Sequence, residues 1–111
     1  MRRVILESPF AGDVDGNIAY ARRCLRDSLN RGEAPLASHL LYPGTLDDNI
    51  PEQRQLGIEA GLAWILYCDA MVLYVDRGIS QGMRDAMVHA QQLGVPVELR
   101  GIDNVIELGA A

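Results

Sequence analysis

The most constraining feature of this chain is Ala70-Met71-Val72-Leu73-Tyr74-Val75, an unbroken apolar run that stops at Asp76. The run is short, rich in strand-forming side chains and without polar alternation, so it predicts a strand covered on both faces. A strand covered twice needs helices on both sides of its sheet. The rest of the chain keeps the same rhythm. Arg3-Val4-Ile5-Leu6 reads as a first strand that stops at Ser8-Pro9. A helix follows from Asp15 or Asn17 to Asn30, with Ile18, Ala21, Leu25 and Leu29 on one face and Gly32 as its stop. Ala34–Leu41 is the expected second strand, interrupted by Pro35 and His39, and Tyr42–Asn49 is a turn-forming loop.

The second helix starts near Pro51, with Glu52 well placed against its dipole, and runs through Ile58, Leu62, Ile65 and Tyr67. Leu56, Ala60 and Trp64 add a second apolar stripe, which places this helix deep in the domain or at a subunit contact. Ser80 caps a third helix whose buried stripe is Met83, Ala86, Met87, Ala90 and Leu93, and Gly94 ends it. Val95–Leu99 is the last strand; the tail from Gly101 adds a brief strand or helix at Val105-Ile106, or nothing. The expected fold is α/β: one domain over residues 1–111, a small three-layer open parallel sheet of flavodoxin or Rossmann type, with 101–111 peripheral.

Composition narrows the chemistry. The chain carries ten arginines and no lysine, so a Walker-type phosphate lysine, a Schiff-base lysine and a lysine general base are all excluded. A formal net charge of −5 argues against coating a nucleic-acid polymer. No apolar run has the length of a membrane span, and no export signal is seen, so the expected location is cytoplasmic with Cys24 and Cys68 as free thiols. No cluster of His, Cys and carboxylates has metal-ligand spacing, and no cofactor is expected.

Open parallel sheets bind ligands beyond the carboxyl ends of their strands. Ser8–Asp15, His39–Asn49 and Asp76–Gly82 lie at that edge and hold most of the polar and glycine signals. Asp76 ends a strand, and Ser80 and Gly82 open a helix, an arrangement suited to an anion, with Arg77 and Arg84 flanking it. The alternative is that Ser80 only caps its helix and the arginines are solvated. His39 is a general acid/base, a ligand donor or a structural hydrogen-bonder. Glu7 sits at the end of a buried strand, where a carboxylate needs a partner. Either Arg3 or Arg100 pairs with it, or it faces the pocket.

Three groups of residues resemble the nucleoside 2-deoxyribosyltransferase-like superfamily, in particular its small phage and bacterial members. They are Leu6-Glu7-Ser8-Pro9-Phe10; Ser38-His39-Leu40-Leu41 with Asp47-Asp48-Asn49-Ile50-Pro51-Glu52-Gln53-Arg54-Gln55-Leu56-Gly57; and Cys68-Asp69-Ala70 with Ile79-Ser80-Gln81-Gly82-Met83 and Gly94-Val95-Pro96-Val97. The resemblance implies a flavodoxin-like fold, a homo-oligomer and a pocket for a nucleoside or nucleotide. It also implies N-glycosidic bond chemistry through a glutamate on the third helix, at the position that is Ala86 here. Alanine cannot attack an anomeric carbon or stabilise an oxocarbenium-like charge. Asp85 is one residue away and therefore rotated by about 100°.

The expected function is binding of a phosphorylated or ADP-ribose-like nucleotide, sequestering a nucleotide signal in a phage–host setting. Ser80, Gly82 and Arg77 would hold phosphate, with Ser8, Pro9, Phe10 and His39 lining the pocket beside Asp76 and Met83. The alternatives are an N-glycosidase or deoxyribosyltransferase using Glu7 or Asp85, and a non-catalytic oligomeric scaffold.

Overall fold

The computed structural model describes residues 1–103 and 109–110; the expected element at Val105-Ile106 lies outside them. The chain runs β1 (Arg2–Glu7), α1 (Val14–Asn30), β2 (Glu33–Leu36), a 3-10 turn (Ser38–Leu40), α2 (Pro51–Ile65), β3 (Ala70–Tyr74), α3 (Gln81–Gln92), β4 (Val97–Arg100) and β5 (Gly109–Ala110). The sheet order is β2-β1-β3-β4-β5. The first four strands are parallel and β5 pairs antiparallel with β4. This is the expected α/β sandwich with the doubly wound order.

Each face of the sheet has its own core. Val4, Leu6, Ala70, Val72 and Tyr74 pack with Tyr20 and Cys24 of α1. Ile5, Met71, Leu73 and Val97 pack with Ile65 of α2 and with Met83, Ala86 and Ala90 of α3. Residues of opposite parity on β1 and β3 thus serve opposite helix layers, which is why these strands show no polar alternation.

The helices end as their residues dictate. Asp13 caps α1 by accepting from the Gly16 amide at 3.2 Å. Gly94, at φ 74°, lets the Val95 amide reach the Ala90 carbonyl at 2.9 Å and the Gly94 amide reach Gln91 at 3.1 Å. That is a Schellman closure, which needs the left-handed backbone glycine adopts most easily.

Three expectations are corrected. The second strand ends at Leu36 rather than Leu41, because the chain turns into the 3-10 helix that carries His39. The inner face of α1 is Tyr20, Ala21, Cys24 and Ser28, while Leu29 is exposed. Ser28 is drawn inward by its 2.8 Å hydrogen bond to Glu33. Finally, α2 does not lie deep. Only Ile65 is fully buried, and Leu56, Ile58 and Trp64 are exposed. The helix meets its neighbours through glycines: a Cβ on Gly57 would stand 3.3 Å from Leu46, and one on Gly61 would stand 3.2 Å from Ser38.

An ionic network beneath α1 ties the sheet together. Arg100 Nη1 and Nη2 meet the two carboxylate oxygens of Glu33 at 2.6 and 2.7 Å, both residues being buried. Arg100 also reaches Glu98 at 2.9 Å and Tyr74 Oη at 3.3 Å, and Tyr74 donates to Asp27 of α1 at 2.6 Å. The Arg100 bonds hold the Glu33 carboxyl down at about 2.

Arg100→Met leaves Glu33 charged, buried and short of partners. Chemical denaturation is expected to show a loss of about 3–5 kcal/mol, much of it recovered in Arg100→Met/Glu33→Leu. Because the Glu33 pKa is lower folded than unfolded, its contribution is complete above the ordinary carboxylate value. It fades as pH falls from about 4.5 toward about 2. Wild type therefore loses stability across that acid window, and Arg100→Met loses less.

Candidate functional site

The sheet order reverses between β1 and β3, and the crevice that such a reversal opens is present here. It is a cleft of ≈ 750 Å³, within the usual range for small-molecule sites. Phe10, Ala11, Gly12 and Val14 form one wall; Ser38, His39, Tyr42 and Asp48 form the second; Arg54, Gly57 and Ile58 of α2 and Ser80–Gly82 of α3 complete it.

The β1–α1 wall is held from below. The Asn17 side chain donates to the Phe10 carbonyl at 2.9 Å and to the Ala11 carbonyl at 3.0 Å, fixing the loop that presents the Phe10 ring. Phe10 and His39 stand with ring centroids 5.2 Å apart, tilted by 38°. His39 Nδ1 lies 3.1 Å from the Ser8 carbonyl. A carbonyl only accepts, so Nδ1 carries the hydrogen and Nε2 is an acceptor in the neutral ring. Burial lowers the His39 pKa below 6.5, outweighing the Ser8 bond and the Asp48 charge, which both raise it.

The α3 end supplies the opposite polarity. Ser80 Oγ accepts from the Met83 amide at 3.2 Å, and the Ser80 amide lies 3.4 Å from Met83 Sδ. The Gln81 and Gly82 amides begin the helix and have no acceptor within it. Across the cleft, Arg54 is exposed and makes no ion pair among the described residues. A permanently charged guanidinium thus shares the cleft lining with the positive end of a helix dipole, and together they favour an anionic group.

Phe10, His39, Ser80 and Gly82 of the sequence-predicted set are brought together in this cleft. Ser8 is buried behind it and touches it through His39. Pro9 is half-buried and not among the lining residues. Met83 is fully buried and serves the α3 core and cap. Asp76 accepts from Tyr20 Oη at 2.6 Å and from the Ile102 and Asp103 amides at 3.0 Å, so it ties the β4 exit to α1. Arg77 does not reach the cleft. Its guanidinium lies 4.8 Å from the centre of the Tyr20 ring, on the α1 side.

The carboxylate candidates separate in the same way. Asp85 is exposed and accepts from Gln81 at 2.9 Å. Ala86 belongs to the core with Ile65, Met71 and Met83. Neither expected partner of Glu7 is paired with it: Arg3 is 3.7 Å from Asp69, and Arg100 is bound to Glu33. Among the described residues Glu7 has no hydrogen-bond partner and is 8% exposed. Sequence reasoning missed Arg54 as a cleft residue, and it placed Asp48 at the ligand edge within His39–Asn49 without singling it out. Both stand in the stretch from Asp47 to Gly57, where the spacing after Pro51 puts Arg54 and Gly57 on neighbouring helical positions. Among the described residues, no group of three or more His, Cys, Asp or Glu side chains is placed to hold a metal ion, and no helix is long and apolar enough to cross a membrane.

A 2-deoxyribosyltransferase from the psychrotolerant bacterium Bacillus psychrosaccharolyticus is similar in structure, with a TM-score of 0.65 and 21% identity, over 96% of this chain and 77% of that one. A 2-deoxyribosyltransferase from Leishmania mexicana gives 0.59 and 16%, over 91% of this chain and 65% of that one. At these identities the likeness is one of fold. No curated protein matches the chain. A family profile described as "Domain of unknown function (DUF7768)" matches residues 2–100. The chain therefore belongs to the DUF7768 family and has the fold of the 2-deoxyribosyltransferases.

Proposed function

We propose that the cleft binds a nucleoside or nucleotide, phosphorylated or ADP-ribose-like, without cleaving it. The observation that carries this reading is the mixed lining of the cleft at the switch point of the sheet. It includes the tilted Phe10 and His39 rings, suited to a flat base. It also includes Arg54 and the start of α3, suited to phosphate. Arg54 takes the role that sequence reasoning gave to Arg77. The fold likeness to the two 2-deoxyribosyltransferases supports a nucleoside-type ligand.

Binding is favoured over catalysis by the carboxylates. Ala86 stands where the family resemblance expects the nucleophilic glutamate, and Asp85 turns to solvent on Gln81. A protein that holds a nucleotide and leaves it intact is suited to sequestering a nucleotide signal, as in a phage–host setting. The exposed Leu56 and Trp64 of α2, with exposed Tyr67 in the turn after it, support a homo-oligomer joined through that helix.

Titration calorimetry with adenosine, adenosine 5′-monophosphate and ADP-ribose is expected to give saturable binding for at least the phosphorylated compounds. Arg54→Ala should weaken them by about tenfold, the worth of one charge-assisted contact, and leave adenosine unchanged. No saturable binding to any of the three contradicts the proposal. Assays for released free base are expected to find none; base release abolished by Glu7→Gln or Asp48→Asn would replace binding with N-glycosidic cleavage. In light scattering, Trp64→Glu is expected to yield a smaller species than wild type, and a monomeric wild type rules out the α2 interface.

A further inference from the structure

Among the described residues two carboxyl side chains are buried, Glu33 and Glu7, and only Glu33 has partners. Glu7 is the last residue of β1 and stands in register with Leu73 of β3, at the point where the strand order reverses. Val4 and Leu6 face the α1 layer while Ile5 faces α2 and α3, so strand alternation turns Glu7 toward α2 and α3. The cleft opens on that side, walled by α2 and the start of α3. The residue after Glu7 accepts the hydrogen bond of His39, which lines the cleft.

The apolar groups packed on that face are Ile5, Ile65, Met71, Leu73 and Met83, and they include no cation. A carboxylate among them would be costly in its charged form. Burial accordingly pushes the Glu7 carboxyl up to about 8.

We infer that Glu7, which lies just behind the cleft lining and keeps 8% exposure on that side of the sheet, stands there as a neutral carboxylic acid and offers its O–H and C=O to an uncharged polar edge of the ligand. The inference rests on the nucleotide reading of the cleft. A neutral carboxyl presents one donor beside one acceptor, so it matches an amidine or lactam edge, in which an acceptor stands beside a donor. The titratable and charged groups of the cleft are His39, Tyr42, Asp48 and Arg54. His39 is held below 6.5, so it stays neutral above about pH 7, and arginine keeps its charge throughout. Glu7 is therefore the group expected to change ionisation between about pH 7 and about pH 9.

Calorimetry with adenosine 5′-monophosphate across that range tests the inference. Wild type is expected to lose about tenfold in affinity by about pH 9, following a carboxyl with its midpoint near 8. Glu7→Gln, which keeps a donor beside an acceptor, should bind with little pH dependence, and Glu7→Leu should bind weakly throughout. A wild-type profile parallel to Glu7→Gln, or Glu7→Leu binding like wild type, overturns the inference.

Dicyclohexylcarbodiimide, which adds to protonated carboxyls, separates this outcome from failure of the nucleotide reading. Peptide mass spectrometry is expected to find Glu7 labelled at neutral pH in wild type and protected in Gly82→Trp, where a Cβ meets only Ser80 Oγ in ordinary contact at 4.0 Å and the new side chain fills the cleft that Gly82 lines. That pattern supports a neutral Glu7 reached through the cleft even if the nucleotide does not bind. An unlabelled Glu7, or equal labelling in Gly82→Trp, overturns it.

Discussion

The fold depends on one buried ion pair. Glu33 begins β2 and Arg100 ends β4, so their two-pronged contact spans the four parallel strands from one outer strand to the other. It lies under α1, and Tyr74, Asp27 and Ser28 join it to that helix. An ammonium group could not form this planar fork, which fits a chain that uses arginine for every cation. Removing either partner leaves a charge in a dry interior, so the pair fixes the relative placement of β2, β4 and α1 more strongly than it adds net stability.

That bracing has a consequence for the site. The α1 face is closed by the network, by Asp76 holding Tyr20, and by Arg77 lying over the Tyr20 ring. The opening is left to the other face, where α2 approaches the 3-10 turn and its loop through Gly57 and Gly61. Close approach at two glycines brings Arg54 and Ile58 to the cleft and leaves Leu56 and Trp64 turned outward. One helix thereby serves the cleft on one side and an exposed apolar surface on the other.

The strands were legible in the sequence because burial on both faces removes polar alternation, and the ends of α3 were legible because Ser80 and Gly94 are needed where they stand; the start of α1 was expected at Asp15 or Asn17, whereas Asp13 caps it. The course of the chain after β2 was not. Pro35 and His39 signalled a weak strand, but the turn into Ser38–Leu40 depends on contacts with Ser8 that are distant in sequence. The cleft position of Ser80 and Gly82 was legible, because their own helix start builds it. The arginine beside them was misread, because Arg77 is adjacent along the chain yet is held by an aromatic ring from α1. Arg54 arrives from a different helix. Local residue chemistry predicts what a segment can do; which partner meets it is decided by the sheet order.

The central claim is that the switch-point cleft is the ligand site. Backbone amide shifts in a nitrogen-15 NMR titration with adenosine 5′-monophosphate test it most directly. Saturable shifts confined to Phe10–Gly12, His39, Gly57–Ile58 and Ser80–Gly82, with the amides of Cys24–Ser28 unmoved, are the predicted result. Shifts centred on α1, or no saturable shift at any amide, would contradict it.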